Sequence, residues 1–478
     1  MSRLIGTFAL VLGAAGLTVP AVAQRAEGMS AQVRGYVTVD APIVVLTNVT
    51  IIDGTAGPVQ RDRTIVIEDG RITAIGEAGT VRVPQDATVL SLGGHTVIPG
   101  LVGMHDHLFY MAVGGRRVQM SYTGPRLYLA SGVTTIRTTG SNAGYADISV
   151  KGQIDRGEVP GPSIHITAPY VTGGSAAGHM ATANDPEAAR RFVAYWVAEG
   201  ATWIKAYTNI TRANLGAAIA EAHAKGIKAT GHLCSVTFSE AIELGIDNLE
   251  HGMLTNTDFV PGKKLDECPS NSRVVIGEGV DLESDAVAQA IRLMVDNDVA
   301  MTSTAPIYEV MIPGRSVTDQ RTLDAMAPAI RADYLALRER IDANPDPPFT
   351  WDMLLKALHF DKMFYDAGGL LAAGVDPTGN GGALAGYGDQ RNYELFVESG
   401  FTPAQAVQVM SANGAKILGI DDEVGTVEVG KVADLVVLEG DLTDDPSAIR
   451  NVTTVFKDGI GYDSAKLIES VQGRVGIN

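Results

Sequence analysis

The chain has 478 residues, 45% hydrophobic and 19% charged, with 54 Gly and 21 Pro. This excludes a disordered or fibrous protein and leaves enough apolar residues for one large α/β domain with a satellite. The 37 basic against 55 acidic residues give a net charge of −18, which repels phosphate backbones and argues against a nucleic-acid partner. Two cysteines without a Cys-x-x-Cys pair exclude a disulfide-dense scaffold and a thiolate zinc site.

Residues 1–23 read as a secretory signal peptide: Arg3 gives the positive start, Leu4 to Leu17 is uncharged, and Ala21-Val22-Ala23 fits a small-residue cleavage site. Pro20 interrupts the run before the roughly 20 apolar residues that a membrane span needs, and no later stretch reaches that length. The expectation is an exported protein, periplasmic or secreted, with no stable membrane insertion after cleavage.

From residue 24 to 98 the grammar is β. Ile43 to Ile52, Thr64–Glu68 and Arg71–Ile75 alternate apolar residues around Asp53-Gly54 and Asp69-Gly70, the dipeptides of hairpin turns. Pro99-Gly100 ends the pattern. From 99 to 420 short β-rich runs recur near 101–107, 132–138, 163–168, 203–207, 228–233, 248–251, 299–304 and 370–376. Amphipathic stretches such as Glu187–Gly200, Arg212–Gly226 and Ala286–Asp298 separate them. Eight such runs predict a (β/α)8 barrel. The long gap 305–369 holds a helical stretch, Arg321–Ala343, and a Pro-rich break at 344–348, read as an insertion near the barrel mouth. Thr402-Pro403 opens a helix to Leu418. From 421 to 478 β grammar returns at Gly425–Val427, Ala433–Leu438 and Val452–Phe456, so both termini can complete one satellite domain.

The chemistry gathers at the strand ends. His105 and His107 close the first run, and residues i and i+2 of a strand share a face, so both imidazoles can reach one ion. Lys205 lies inside the apolar fourth run, where an unpaired ammonium is costly. His232 ends the fifth run, His251 the sixth and Asp376 the eighth. In a (β/α)8 barrel these ends lie together at the mouth, where active sites sit.

In the sequence Pro99-Gly100-Leu101-Val102 leading to His105-Asp106-His107, and in the order Lys205, His232, His251, Asp376, the chain resembles the two-metal subtype of the amidohydrolase superfamily. The tail from Gly425 to Leu438 is similar to the satellite-sheet return of that group, and the likeness runs from about residue 43 to 457. Within the superfamily it resembles the imidazolonepropionase-related enzymes that include Xaa-Pro dipeptidases, acyl-amino-acid carboxypeptidases and ochratoxin-type amidases. The resemblance implies a TIM-like barrel with a small β-sandwich satellite, and a metal-dependent hydrolase of amide bonds in small peptides or N-acyl amino acids. It implies two divalent ions, Zn²⁺ first, with Mn²⁺, Co²⁺ and Fe²⁺ sharing the ligands. His105, His107 and Asp376 would hold the more buried ion and His232 and His251 the more exposed one, with Lys205 as a bridging carbamate. Asp376 would serve as general base and acid. A lactone, cyclic imide or phosphotriester hydrolase on the same centre is the enzymatic alternative, and a non-catalytic metal-binding scaffold the other. Homo-oligomers are common among such relatives.

Lesser candidates for substrate contact are His179 in a Gly-rich loop, Tyr207 two residues beyond Lys205, Tyr110, and Arg116 or Arg117 as a carboxylate clamp. His95, His165, His223 and His359 read as structural or surface residues. Gly379–Gly382 and Gly386–Gly388 read as a loop beside the metals and lack a dinucleotide fingerprint. Cys234 and Cys268 fall at neighbouring strand ends, where a disulfide and two free thiols are both open.

Overall fold

A computed structural model describes residues 26–174, 178–315, 319–378 and 381–477; residues 1–23, where a signal peptide is expected, lie outside them. Eight parallel strands form the barrel: Leu101–Asp106, Val133–Thr138, Ser163–Thr172, Trp203–Ala206, Lys228–Gly231, Asn248–Glu250, Ala300–Ser303 and Leu371–Ala373. Each coincides with one of the eight runs read from the sequence. Buried on both faces, they carry the near-continuous apolar and small residues that parallel sheets require. The third strand runs four residues further than its sequence pattern, which carries Tyr170 to the mouth.

The ring closes between the eighth strand and the first. No ladder joins them among the described residues, but the Asp376 amide donates to the His105 carbonyl at 2.8 Å. Gly374 makes the approach feasible, since a Cβ there would lie 2.2 Å from the His105 backbone nitrogen.

Helices Pro186–Ala198, Arg212–Ala224 and Asp285–Asp296 begin on side-chain caps from Asp185, Thr211 and Ser284. The expected helix 402–418 is two helices, Pro403–Met410 and Ala412–Leu418. They break at Ser411, whose Oγ donates to the Val407 carbonyl. Within 305–369, Trp351–Asp366 is the ordinary crossover helix before the eighth strand, and the additional material is Ala305–Glu309, Gln320–Ala325 and Pro328–Asp342.

Both ends of the chain build one hydrogen-bonded nine-stranded sheet: strands Val37–Val39, Ile43–Ile51, Gln60–Glu68, Arg71–Glu77, Thr88–Ser91 and His95–Pro99 join Leu435–Glu439, Val452–Lys457 and Ile460–Asp463. Asp69-Gly70 forms its tight hairpin with both φ positive, 48° and 84°. Asp53-Gly54 belongs instead to a longer connection. There Gly54 packs on the Gly425 carbonyl and the Val427 amide donates to Asp53, so residues 425–427 form a loop and not a strand. Along Leu435–Glu439 the alternation divides two cores: Leu435 and Val437 face the satellite's own interior, Val436 and Leu438 the barrel.

Candidate metal centre

His105, His107, Lys205, His232, His251 and Asp376 converge at the carboxyl end of the barrel. His105, His107 and Asp376 are buried, and their ligand atoms lie within 4.8 Å of one another. His107 Nε2 is 3.3 Å and His105 Nε2 3.7 Å from the Asp376 carboxylate. Lys205 Nζ is 3.0 Å from His105 Nε2. The rings of His105 and His251 are 4.5 Å apart, and those of His232 and His251 4.2 Å.

The imidazoles are aimed from behind. His105 Nδ1 donates to Glu250 at 2.7 Å, and His107 Nδ1 donates to the Gly140 carbonyl at 2.8 Å. His251 Nδ1 bonds the Thr304 hydroxyl at 2.7 Å. The acceptor-only partners of His105 and His107 fix the tautomer that leaves Nε2 as a lone-pair donor toward the centre. His251 Nε2 is buried with no hydrogen-bond partner, the kind of orphan that a cation satisfies. Nitrogen and oxygen donors in this set suit Zn²⁺ and neighbouring divalent ions.

Electrostatics agree. Burial depresses all four imidazoles, His107 to about 4 and His232 to about 3, so they stand neutral at pH 7. Burial also lowers Lys205 to about 8, which makes its amine available as a neutral nucleophile. Desolvation would raise Asp376, but His105 and His107 hold it well below the usual range. Behind them, Glu250 is fully buried. Burial opposes its charge, and Arg137 followed by His105 overrides that and keeps it ionised. His251 and Asp376 both adopt left-handed backbone, φ 69° and 46°, a strained state for non-glycine residues. The His251 amide donates to Thr302 and the Thr378 hydroxyl to Asp376, and these bonds hold them there.

The centre floors a cavity of about 270 Å³ lined by Phe109, Met111, Arg117, Tyr170, His179, Tyr207, Arg273 and Tyr308, among others. A second cavity of about 380 Å³ shares His232, Arg273 and Met311 with it. His179 and Tyr207 line the first cavity, each with its ring within 5.5 Å of Tyr170. Tyr110 does not: it is fully buried and donates to the Gly381 carbonyl at 2.9 Å. On the strand Phe109–Ala112 alternate residues face opposite ways, so Phe109 and Met111 line the cavity and Tyr110 points behind it. Arg116 is engaged by Asp333, and Arg117 faces the cavity. Cys234 and Cys268 form a disulfide with Cα atoms 4.9 Å apart, in the wall of the second cavity.

Arg273, Tyr170 and Tyr308 were not legible as cavity residues. Arg273 opens the short helix Ser272–Gly279 after the sixth strand, in a segment without periodic signal. Tyr170 lies past the apparent end of its strand, although alternation from Ala168 would have placed it.

Residues 373–460 match the Amidohydrolase family. The chain is 38% identical over 84 residues to an enamidase of Eubacterium barkeri, 18% of this chain and 21% of that protein. It is 24% identical over 413 residues to a dihydroorotase of Pelotomaculum thermopropionicum, 83% of this chain and 88% of that one. The chain thus spans only about a fifth of the enamidase's length. The structure of a Xaa-Pro dipeptidase with bound methionine superposes with a TM-score of 0.65 at 22% identity, covering 88% of this chain and all of that one. The barrel, the five donor-bearing strand ends and the match over residues 373–460 together make the chain similar to the amidohydrolase superfamily.

Proposed function

We propose that this chain is a metal-dependent hydrolase that cleaves the amide bond of a small peptide or an N-acyl amino acid. The observation that carries the reading is the buried ligand set in which His105 Nε2 and His107 Nε2 face the Asp376 carboxylate, with the His251 Nε2 left unpartnered. His105, His107 and Asp376 would hold one divalent ion, zinc by preference, and His232 and His251 a second. Lys205, carboxylated on its depressed amine, would reach both. Bound there, the ions supply a water of near-neutral pKa and polarise the amide carbonyl.

The protein's own groups do the rest. Asp376 takes the proton of the attacking water at its carboxylate and returns it to the departing nitrogen, since its ionised state leaves it an acceptor at pH 7. Glu250 and Gly140 hold the imidazoles of His105 and His107 still during that exchange. Phe109, Tyr170 and Tyr308 wall the cavity with rings that exclude bulk water.

The same proposal takes the protein to be exported after cleavage near Ala23. The Cys234–Cys268 disulfide supports an oxidising compartment.

The test pairs elemental analysis with a panel of dipeptides and N-acyl amino acids. The expected result is two divalent ions per chain and hydrolysis that a chelator abolishes and added metal restores. Stoichiometric metal with no hydrolysis across the panel, or hydrolysis indifferent to chelation, overturns the proposal.

A further inference from the structure

Two guanidinium groups face the metal-centre cavity, Arg117 from the strand Arg116–Gln119 and Arg273 from the helix Ser272–Gly279. Other arginines of the chain are paired: Arg116, next in sequence to Arg117, with Asp333, Arg212 with Glu243, and Arg315 with Glu309 and Glu398. Among the described residues neither Arg117 nor Arg273 makes a hydrogen bond or ion pair. Arg273 only lies over the Tyr308 ring, 5.2 Å from its centroid. In a chain with 55 acidic residues, the sole carboxylate lining this cavity among the described residues is Asp376, which belongs to the ligand set.

The two cations stand beside different ligands of the centre. Phe109, on the hairpin that carries Arg117, is 4.6 Å from His107, and Tyr308, beside the Arg273 guanidinium, is 6.0 Å from His251; the His105 ring is 5.4 Å from the first imidazole and 4.5 Å from the second. Arg117 belongs to the Phe109 end, where its charge acts on His179 and Tyr170 after the larger effect of burial. Arg273 belongs to the Tyr308 end and acts on His232 and Tyr308. Both reach Tyr207, which stands between.

We propose that the cavity selects amides carrying a carboxylate on each side of the scissile bond, one end received by Arg117 and the other by Arg273. The substrate class is an N-acyl amino acid whose acyl group ends in its own carboxylate. The inference rests on the amide-hydrolase reading and narrows it. An acidic protein surface repels such a dianion, so two unpaired guanidiniums at the mouth are what concentrate and orient it. Charge-assisted, forked contacts to carboxylates are the strongest hydrogen bonds available to an arginine.

Four compounds test it with the metal-replete enzyme: N-succinyl-alanine, N-butyryl-alanine, and the alaninamide of each. N-succinyl-alanine is expected to have the highest kcat/KM. Loss of either carboxylate should lower it about ten- to a hundredfold, from the strength of a charged hydrogen bond. Arg117→Gln should erase the discrimination at one end and keep it at the other, and Arg273→Gln the reverse. Both side chains are exposed, so the variants should melt with the parent. Turnover of all four compounds within about threefold overturns the inference and leaves the hydrolase reading intact. Equal discrimination in the parent and both variants assigns the effect to other groups and also overturns it. No turnover of any compound, with metal bound, overturns both.

Discussion

Replacing Glu250 by Gln probes the support behind the ligands. Glu250 is wholly buried and accepts from His105 Nδ1 at 2.7 Å, Arg137 at 2.5 Å, Asn248 at 3.0 Å and the Thr230 hydroxyl. Arg137 is equally buried, and Glu250 is its salt-bridge partner. An amide of the same shape removes the charge and leaves the guanidinium uncompensated, which costs about 3–5 kcal/mol. It also presents a neutral partner to His105, and loss of such a partner lowers metal affinity about 10–100-fold. Urea unfolding of the chelator-treated protein, followed by tryptophan fluorescence, gives the first number. Trp203, whose ring is 4.5 Å from the Arg137 guanidinium, reports on the site directly. Competition with a fluorescent chelator gives the second. Adding Arg137→Met should recover part of the lost stability and none of the metal affinity. A loss below about 1 kcal/mol, which is the scale of an ordinary neutral hydrogen bond, refutes the reasoning.

Lys205→Ala should leave the apo protein no less stable, since it removes a buried amine, while at least one ion is lost and turnover collapses; full activity with two ions retained rejects a bridging role. Burial pushes Asp361, bonded to the Ser303 hydroxyl, up to about 7. A carboxyl raised in the folded state contributes stability that is complete below about pH 4 and lost as pH rises through 7. Three units correspond to at most ~4 kcal/mol. Melting temperatures of Asp361→Asn and the parent should therefore diverge in the variant's favour between pH 5 and pH 8, and a constant difference would count against it. Tyr110→Phe should cost about 1 kcal/mol for the lost bond to Gly381 and leave KM unchanged, whereas Phe109→Ala should raise KM.

The barrel was legible because its strands are buried on both faces and so stand out as apolar runs, and the six donors because each interrupts such a run, Lys205 within it and the others toward its end. Lys205 is the clearest case: nothing in an apolar strand explains it except a partner. What was hidden depends on contacts between distant segments. Arg273 has no periodic context, and its place in the cavity is set by a loop tied back through Cys268 to Cys234, beside His232. Tyr110 and Phe109 differ only in which way one short strand is turned, and the sequence does not say. The sheet built from both termini was foreseen, but its joining into one hydrogen-bonded sheet depends on pairings between residues more than 300 apart. The tight hairpin at Asp69-Gly70 was read correctly because both residues favour left-handed backbone, while Asp53-Gly54 serves a packing contact that no local rule reports.

The barrel is a ring with a weak seam, where the eighth strand meets the first without a ladder among the described residues. His105 and His107 stand on one bank and Asp376 on the other. In the reading proposed above, a cation held by all three is a rivet as well as a reagent. Demetallated protein should begin to breathe at this junction, with amides of 101–106 and 371–376 exchanging earlier than those of the far wall.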